Sequence, residues 1–307
     1  MKKIKLITLA VFTIIFYSAS FAQEVIKQKL ENDTKSSITG DDLLGIKSGA
    51  DPKKADGRKA GNSREKGKPV LFIIGDSTMK NGKDNGSNGQ WGWGHFFWEN
   101  FDTTKISIEN HALGGRSSRT FITEGLWDKV LAAVQPGDFV IVQFGHNDNG
   151  SYNIGRARAS IHSNSDKDTT VIMESTGKPE TVHSFGWYMR KYAKDTKAKK
   201  ATPILLSHIP RNMFTTIDSV AVIRNTNDFG AWTKEAAEMA KVPYIDVNKL
   251  IADKLDKLGK DTIQLLYYGD HTHTSKKGAL LNSQTVAEGI RDLKKCKLKK
   301  YLLKQKK

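Results

Sequence analysis

Four short polar blocks, each following an apolar run, hold the residue types that nucleophilic attack on a carbonyl requires. Gly75-Asp76-Ser77-Thr78-Met79 follows the first run and Asn110-His111-Ala112-Leu113-Gly114-Gly115-Arg116-Ser117 ends the second. Gly145-His146-Asn147-Asp148 follows the third, and Asp270-His271-Thr272-His273 comes after the last. A serine that attacks a carbonyl needs a base to take its proton, a group to orient that base, and donors aimed at the oxygen that becomes charged. Ser77 is the candidate nucleophile and His273 the candidate base. Asp270, three residues earlier, is near enough for one turn to bring its carboxylate to the imidazole. The candidate oxyanion donors are the backbone N–H of Ser77, placed at the start of a helix, the N–H of Gly115, which lacks a Cβ, and the Asn147 amide.

Each block alone has a plainer reading. Gly-Asp-Ser after a strand is usually a turn with a cap, and Gly114-Gly115 makes an ordinary tight turn. Asp-x-x-His is common, and His-Asn-Asp is unremarkable loop chemistry. Four such blocks in this order at successive strand ends are far harder to explain as structure. His271 and His273 alternate as two metal ligands can, but no carboxylate or histidine cluster completes a site, so no metal and no cofactor is expected. His271 reads as a packing residue or a support for His273. His111, His146 and His208 also fall at strand ends, without a specific task.

The elements that must position these blocks are short apolar runs alternating with longer amphipathic segments. Val70–Ile74, Ile106–Asn110, Phe139–Phe144, Pro203–Ser207 and Pro243–Val247 are nearly continuous in Val, Ile, Leu and Phe. That is the pattern of strands buried on both faces of a parallel sheet. Helices are predicted over Trp93–Asn100, Leu126–Val134, Phe185–Lys199, Asp228–Ala240, Lys249–Lys257 and Lys276 to about Leu293. Repeated strand–helix–strand units predict an α/β fold, a three-layer α/β/α sandwich with a central parallel sheet of flavodoxin-like type. Ligands of such sheets bind beyond the carboxyl ends of the strands, where the blocks fall. A polar insertion from about 149 to 181 is long enough to expect a functional role.

The 307-residue chain carries a formal net charge of +16, unevenly distributed. Three lysines begin residues 1–22, an apolar run follows, and Ser20-Phe21-Ala22 suits cleavage before Gln23; this is the pattern of a secretory signal peptide. Residues 23–68 are polar and poor in apolar clusters, as expected of a linker or N-terminal arm. Residues 69–295 are the right size for one catalytic domain. The basic C-terminal tail, 296–307, continues a run from Arg291 that reads as a solvated helix face, or second as a patch adhering to an acidic polymer or an anionic membrane. Away from these ends the body is only mildly basic and carries no nucleic-acid motif, so no nucleic-acid partner is expected. The lone Cys296 cannot form an internal disulfide. The protein is expected to be exported, periplasmic or extracellular, without stable membrane insertion after cleavage.

The four blocks resemble those of the SGNH, or GDSL, hydrolases, with Ser77, Gly115, Asn147 and His273 at the signature positions and Asp270 beside the histidine. Within that superfamily Gly75–Met79, Gly114–Phe121, Gly145–Asp148, His183–Tyr192 and Ile209-Pro210-Arg211-Asn212 are similar to rhamnogalacturonan acetylesterases. The resemblance implies the α/β/α sandwich, a metal-free serine mechanism, and removal of acetyl groups from galacturonate residues of pectin. An acetylated acidic polysaccharide or oligosaccharide is then the expected partner. A planar guanidinium binds carboxylate through two parallel hydrogen bonds, which makes Arg116, Arg119 and Arg211 the candidate substrate-binding residues, with Arg156 and Arg158 also near the expected mouth. Trp91 and Trp93 could stack on sugars but more often such residues are core. The alternatives are another SGNH ester hydrolase, acting on acetylxylan, lipids or thioesters, and a non-catalytic polysaccharide-binding protein on the same scaffold. No long apolar lid segment favours the lipid reading, and the complete set of reactive residues argues against the non-catalytic one.

Overall fold

A computed structural model of the chain describes residues 63–304, apart from 87, 217–220 and 225–227. The expected signal segment 1–22 and most of the arm 23–68 lie outside the described residues. In chain order the elements are β1 (Val70–Gly75), β2 (Ser107–Asn110), α1 (Thr120–Thr123), α2 (Leu126–Ala133), β3 (Phe139–Gln143), β4 (Asp168–Ile172) and β5 (Pro179–His183). There follow α3 (Phe185–Ala198), β6 (Thr202–Leu206), α4 (Phe229–Ala240), β7 (Tyr244–Ile245), α5 (Val247–Leu255), α6 (Lys260–Leu266) and α7 (Lys276–Asp292). Five strands pair in parallel in the order β2-β1-β3-β6-β7.

The two central strands, β1 and β3, are buried at every position, which is why their sequences do not alternate with polar residues. Successive side chains point to opposite faces. Val70, Phe72 and Ile74 join Val140 and Val142 in one core, closed by Trp127 of α2, Tyr188 and Tyr192 of α3, and Phe229 of α4. Leu71, Ile73 and Ile141 are buried on the other face. The second helical layer contains α7, which packs against α5, α6 and β7. This is the expected three-layer sandwich. Truncating a fully buried aromatic such as Phe72 to Ala would cost about 3–5 kcal/mol.

Side-chain caps start the helices that matter for the site. Ser184 accepts from the Trp187 N–H at the head of α3, and Ser275 from the Gly278 N–H at the head of α7. Such a cap contributes about 1 kcal/mol. Ser275 follows His273 by two residues, so the cap of α7 also fixes the end of the histidine loop.

Three expectations change. Trp93–Asn100 forms two short 3-10 turns rather than a helix: its N–H groups bond three residues back, His95 to Gly92, Phe96 to Trp93 and Glu99 to Phe96. The polar insertion contains a two-stranded antiparallel hairpin, β4–β5, whose strands are half exposed. The basic tail is not a helix extension: the chain is extended at Leu293, then turns at Lys297–Tyr301 and inserts Leu298 fully into the body. At the other end, Arg64, within the expected arm, pairs with the buried Asp138 carboxylate.

Candidate active site

β1 ends at Gly75, where an added Cβ would lie 2.1 Å from the Met79 sulfur and 2.6 Å from the Gln143 carbonyl oxygen. Only glycine lets the strand turn this sharply into the Ser77 segment. That segment is a turn and not the helix start expected from sequence: the Met79 and Lys80 N–H groups both donate to the Asp76 carbonyl at 3.2 Å. The Asp76 carboxylate accepts from the Thr78 N–H and hydroxyl, each at 2.8 Å. Gln143 of β3 donates to the Thr78 hydroxyl at 2.9 Å, and the Trp93 indole donates to Gln143 at 3.2 Å. A polar residue inside the apolar run of β3 was the sequence signal for this brace. Trp93 is therefore buried structure and not a sugar platform; Trp91 is also core, 8% exposed, packed at a tilt against Phe96.

The second block folds over the same strand end. Asn110 donates to the Met79 carbonyl at 2.7 Å, and the Leu113 N–H donates to the Gly75 carbonyl at 3.0 Å. A Cβ on Gly114 would lie 3.6 Å from Cβ of Ser77. Gly115, at φ +80°, occupies the left-handed region that suits glycine, and lines the cleft beside Ser77. The third block places Asn147 at the cleft, one amide hydrogen committed to the Arg116 carbonyl at 2.9 Å. Its neighbour Asp148 is wholly buried, accepting from the Ser118 hydroxyl at 2.5 Å and the Ser160 hydroxyl at 3.1 Å.

The fourth block comes from the loop before α7. His273 Nε2 lies 2.9 Å from the Ser77 hydroxyl oxygen, and His273 Nδ1 lies 2.6 Å from Asp270 Oδ2. Asp270 Oδ1 accepts the backbone N–H groups of Thr272 and His273, each at 2.7 Å. Burial works to raise the Asp270 carboxyl, but the His273 N–H, the imidazole and the Thr272 N–H outweigh it and hold it below the usual carboxylate value. With the Nδ1 proton held by that carboxylate, Nε2 is left to accept the proton of Ser77. The loop is anchored by Tyr268 N–H to the His273 carbonyl at 2.9 Å and by Trp91 N–H to the Thr274 carbonyl at 3.0 Å.

These side chains open on a cleft of about 730 Å³ with a cationic wall that includes Lys80, Arg116, Arg156, Arg158 and Arg211. Arg116 is tied to Glu124 at 2.9 Å, and Arg211 lies 3.4 Å from both His146 and His271. His271 thus neighbours Arg211. The expectation for Arg119 fails: its side chain is fully buried, paired with Glu180 at 2.6 Å and out of reach of a substrate. His146 and His208 stack edge to face at 5.0 Å. Burial holds His146 well below the ordinary histidine range and pushes His208 down to about 4, so both are neutral. His111 bonds Glu109 at 2.8 Å, away from the cleft. Among the described residues no group of three or more His, Cys, Asp or Glu side chains could hold a metal ion, and no helix is long and apolar enough to cross a membrane.

A parallel α/β/α sheet whose strand ends bring a serine, a glycine and an asparagine to an Asp–His pair from the loop before α7 defines a serine hydrolase of the SGNH type. The chain belongs to the GDSL-like Lipase/Acylhydrolase family, which it matches over residues 73–281, and it is a carboxylic ester hydrolase. It is 31% identical to the rhamnogalacturonan acetylesterase of Emericella nidulans over 68% of this chain and 80% of that protein. It is 27% identical to YesY of Bacillus subtilis, described as a probable rhamnogalacturonan acetylesterase, over 73% of this chain and 93% of that one. Among solved structures it resembles the Bacillus subtilis protein YxiM with a TM-score of 0.60 at 25% identity, over 73% of this chain and 56% of that structure. The acetylxylan esterase Axe2 of Geobacillus stearothermophilus shares the fold, with a TM-score of 0.51 at 16% identity over 72% of this chain and 93% of that one.

Proposed function

We propose that the protein is an exported carbohydrate esterase that removes acetyl groups from an acidic polysaccharide of the rhamnogalacturonan type. The observation that carries the chemistry is His273 bridging Ser77 and Asp270 at 2.9 and 2.6 Å beneath a cationic cleft. The names of the relatives from Emericella nidulans and Bacillus subtilis favour the acetyl group and the pectic backbone. The positive wall favours a polyanion. The pattern of residues 1–22 favours export.

His273 takes the proton of Ser77 as its oxygen attacks the acetyl carbonyl. The N–H groups of Ser77 and Gly115 and the free hydrogen of the Asn147 amide receive the charge that forms on oxygen. Asp270, kept ionised, stabilises the imidazolium in which the proton is held. Collapse transfers that proton to the departing sugar hydroxyl and leaves an acetyl ester on Ser77. Water, deprotonated by the same imidazole, then releases acetate.

Acetate release from acetylated rhamnogalacturonan, homogalacturonan and xylan, measured for the wild type and Ser77→Ala, tests both parts. The proposal expects preference for the acidic polymers and loss of release from all of them in the variant, with thermal melting preserved. A Ser77→Ala enzyme that still turns over overturns the mechanism, and equal rates on xylan overturn the substrate.

A further inference from the structure

We propose that Arg156 and Arg158 form a carboxylate-binding subsite that reads an acidic sugar ring beside the ester-bearing position. The proposal rests on the acidic-polysaccharide reading above and adds the residues that make the selection.

The arginines of the body differ in what they hold: Arg211 lies against His146 and His271, and Arg291 donates to the Leu303 carbonyl. Arg64, Arg116, Arg119, Arg190 and Arg224 each hold a carboxylate of the protein. Arg156 and Arg158 line the cleft, and neither forms an ion pair among the described residues. Arg158 places Nη1 3.4 Å from the Gly115 carbonyl oxygen, on the loop that also offers the Gly115 N–H to Ser77's cleft. Burial, and after it the charge of Arg156, makes the ionised form of Arg158 less favourable than in water. Two cleft guanidinium groups that hold no carboxylate of the protein in an ion pair offer a site that a substrate carboxylate completes, in the planar two-bond geometry suited to guanidinium.

The loop that carries them is built, not slack. Arg119, at the centre of its base, donates to the carbonyls of Tyr152 at 2.9 Å and Ala159 at 3.0 Å, while Glu180 of the hairpin holds its other edge. The Ala159 N–H closes the base on the Ser151 carbonyl at 3.3 Å, and the Ser160 hydroxyl bonds Asp148. Between the two arginines Ala157 sits at φ +44°, a left-handed conformation that non-glycine residues avoid, held by its N–H to the Ile154 carbonyl at 3.0 Å. Strain retained at a residue flanked by two unpaired cations marks a loop shaped for a ligand. The buried Arg119 is then a positioning residue: by holding the carbonyls of Tyr152 and Ala159 it fixes the frame of the loop that carries Arg156 and Arg158.

The test compares kcat/KM on an acetylated oligogalacturonide with that on its carboxyl-reduced, neutral counterpart. The wild type should favour the acidic substrate. Arg156→Gln with Arg158→Gln should lower the ratio by about tenfold or more, mainly through KM, since a charge-assisted bond binds ground and transition states alike. Arg158→Lys should not restore it, because an ammonium lacks the planar fork. Arg291→Gln, which removes one positive charge far along α7, should keep the wild-type ratio. Retention of that ratio by the double variant, with unchanged melting, overturns the subsite. A wild type indifferent to the carboxylate overturns it too, together with the acidic-substrate reading, while hydrolysis dependent on Ser77 would still stand.

Discussion

Asp270 bonds His273 and Asp148 follows Asn147, two residues that line the same cleft, and the protein treats the charges of these acids in opposite ways. Asp270 is 40% exposed and held below the usual carboxylate value by two backbone N–H groups and an imidazole. Asp148 is fully buried, and desolvation pushes it up to about 6 despite bonds from Ser118 and Ser160. One carboxylate is tuned to stay charged beside a histidine that must become charged; the other is spent on holding a loop together. The difference separates a half of the site that does chemistry from a half that maintains shape.

If that division is right, losses in the first half should be kinetic. His273→Ala should reduce turnover on an acetyl ester on the order of 10⁴- to 10⁶-fold with little change in melting temperature. A large drop in melting would break the comparison by making the histidine loop structural. Asn147→Ala, which removes one oxyanion donor and also one tie to Arg116, should cost about 10²- to 10³-fold in kcat. Turnover within a few-fold of wild type would remove Asn147 from the oxyanion site.

In the second half the loss should be one of stability. Asp148→Ala leaves the Ser118 N–H, the Ser118 hydroxyl and the Ser160 hydroxyl without their buried acceptor, at a cost of roughly 3 kcal/mol. Urea unfolding checks it, and a change below about 1 kcal/mol would contradict the bracing role. The smallest effect is on pH dependence. Because Asp148 is raised from 3.8 to about 6, the folded state binds its proton more tightly. Its stabilising share is full at acid pH below the unfolded value, and is lost as pH rises through about 6. Asp270 has the opposite sign, contributing above the unfolded value and losing it as pH falls. The unfolding free energy of wild type minus Asp148→Asn should therefore decrease between pH 4 and pH 6.5; a rising difference would reverse the assignment.

Much of the scaffold is readable in the sequence because burial on both faces leaves its mark on every position. β1 and β3 announce themselves as nearly continuous apolar runs, and Ser77 and Asn147 fall just past their ends, while His273 lies in the loop before α7. What the sequence does not carry is direction. Arg116 and Arg119 stand three apart on one loop, yet Arg116 lines the cleft and Arg119 points into the interior towards Glu180, a partner from a distant hairpin. The hairpin itself hides in a polar segment whose strands are half exposed and so lack a strong apolar period. Trp93, which the sequence favours as core, is buried, but only its bond to Gln143 shows that it lies beneath the serine turn.

The central claim, that Ser77 is the nucleophile activated by His273, is tested most directly by covalent labelling with a nitrophenyl phosphonate ester followed by peptide mass spectrometry. The account predicts one adduct, on Ser77, absent in Ser77→Ala and formed far more slowly in His273→Ala. An unlabelled enzyme that hydrolyses acetyl esters, or an adduct on another residue, would contradict it.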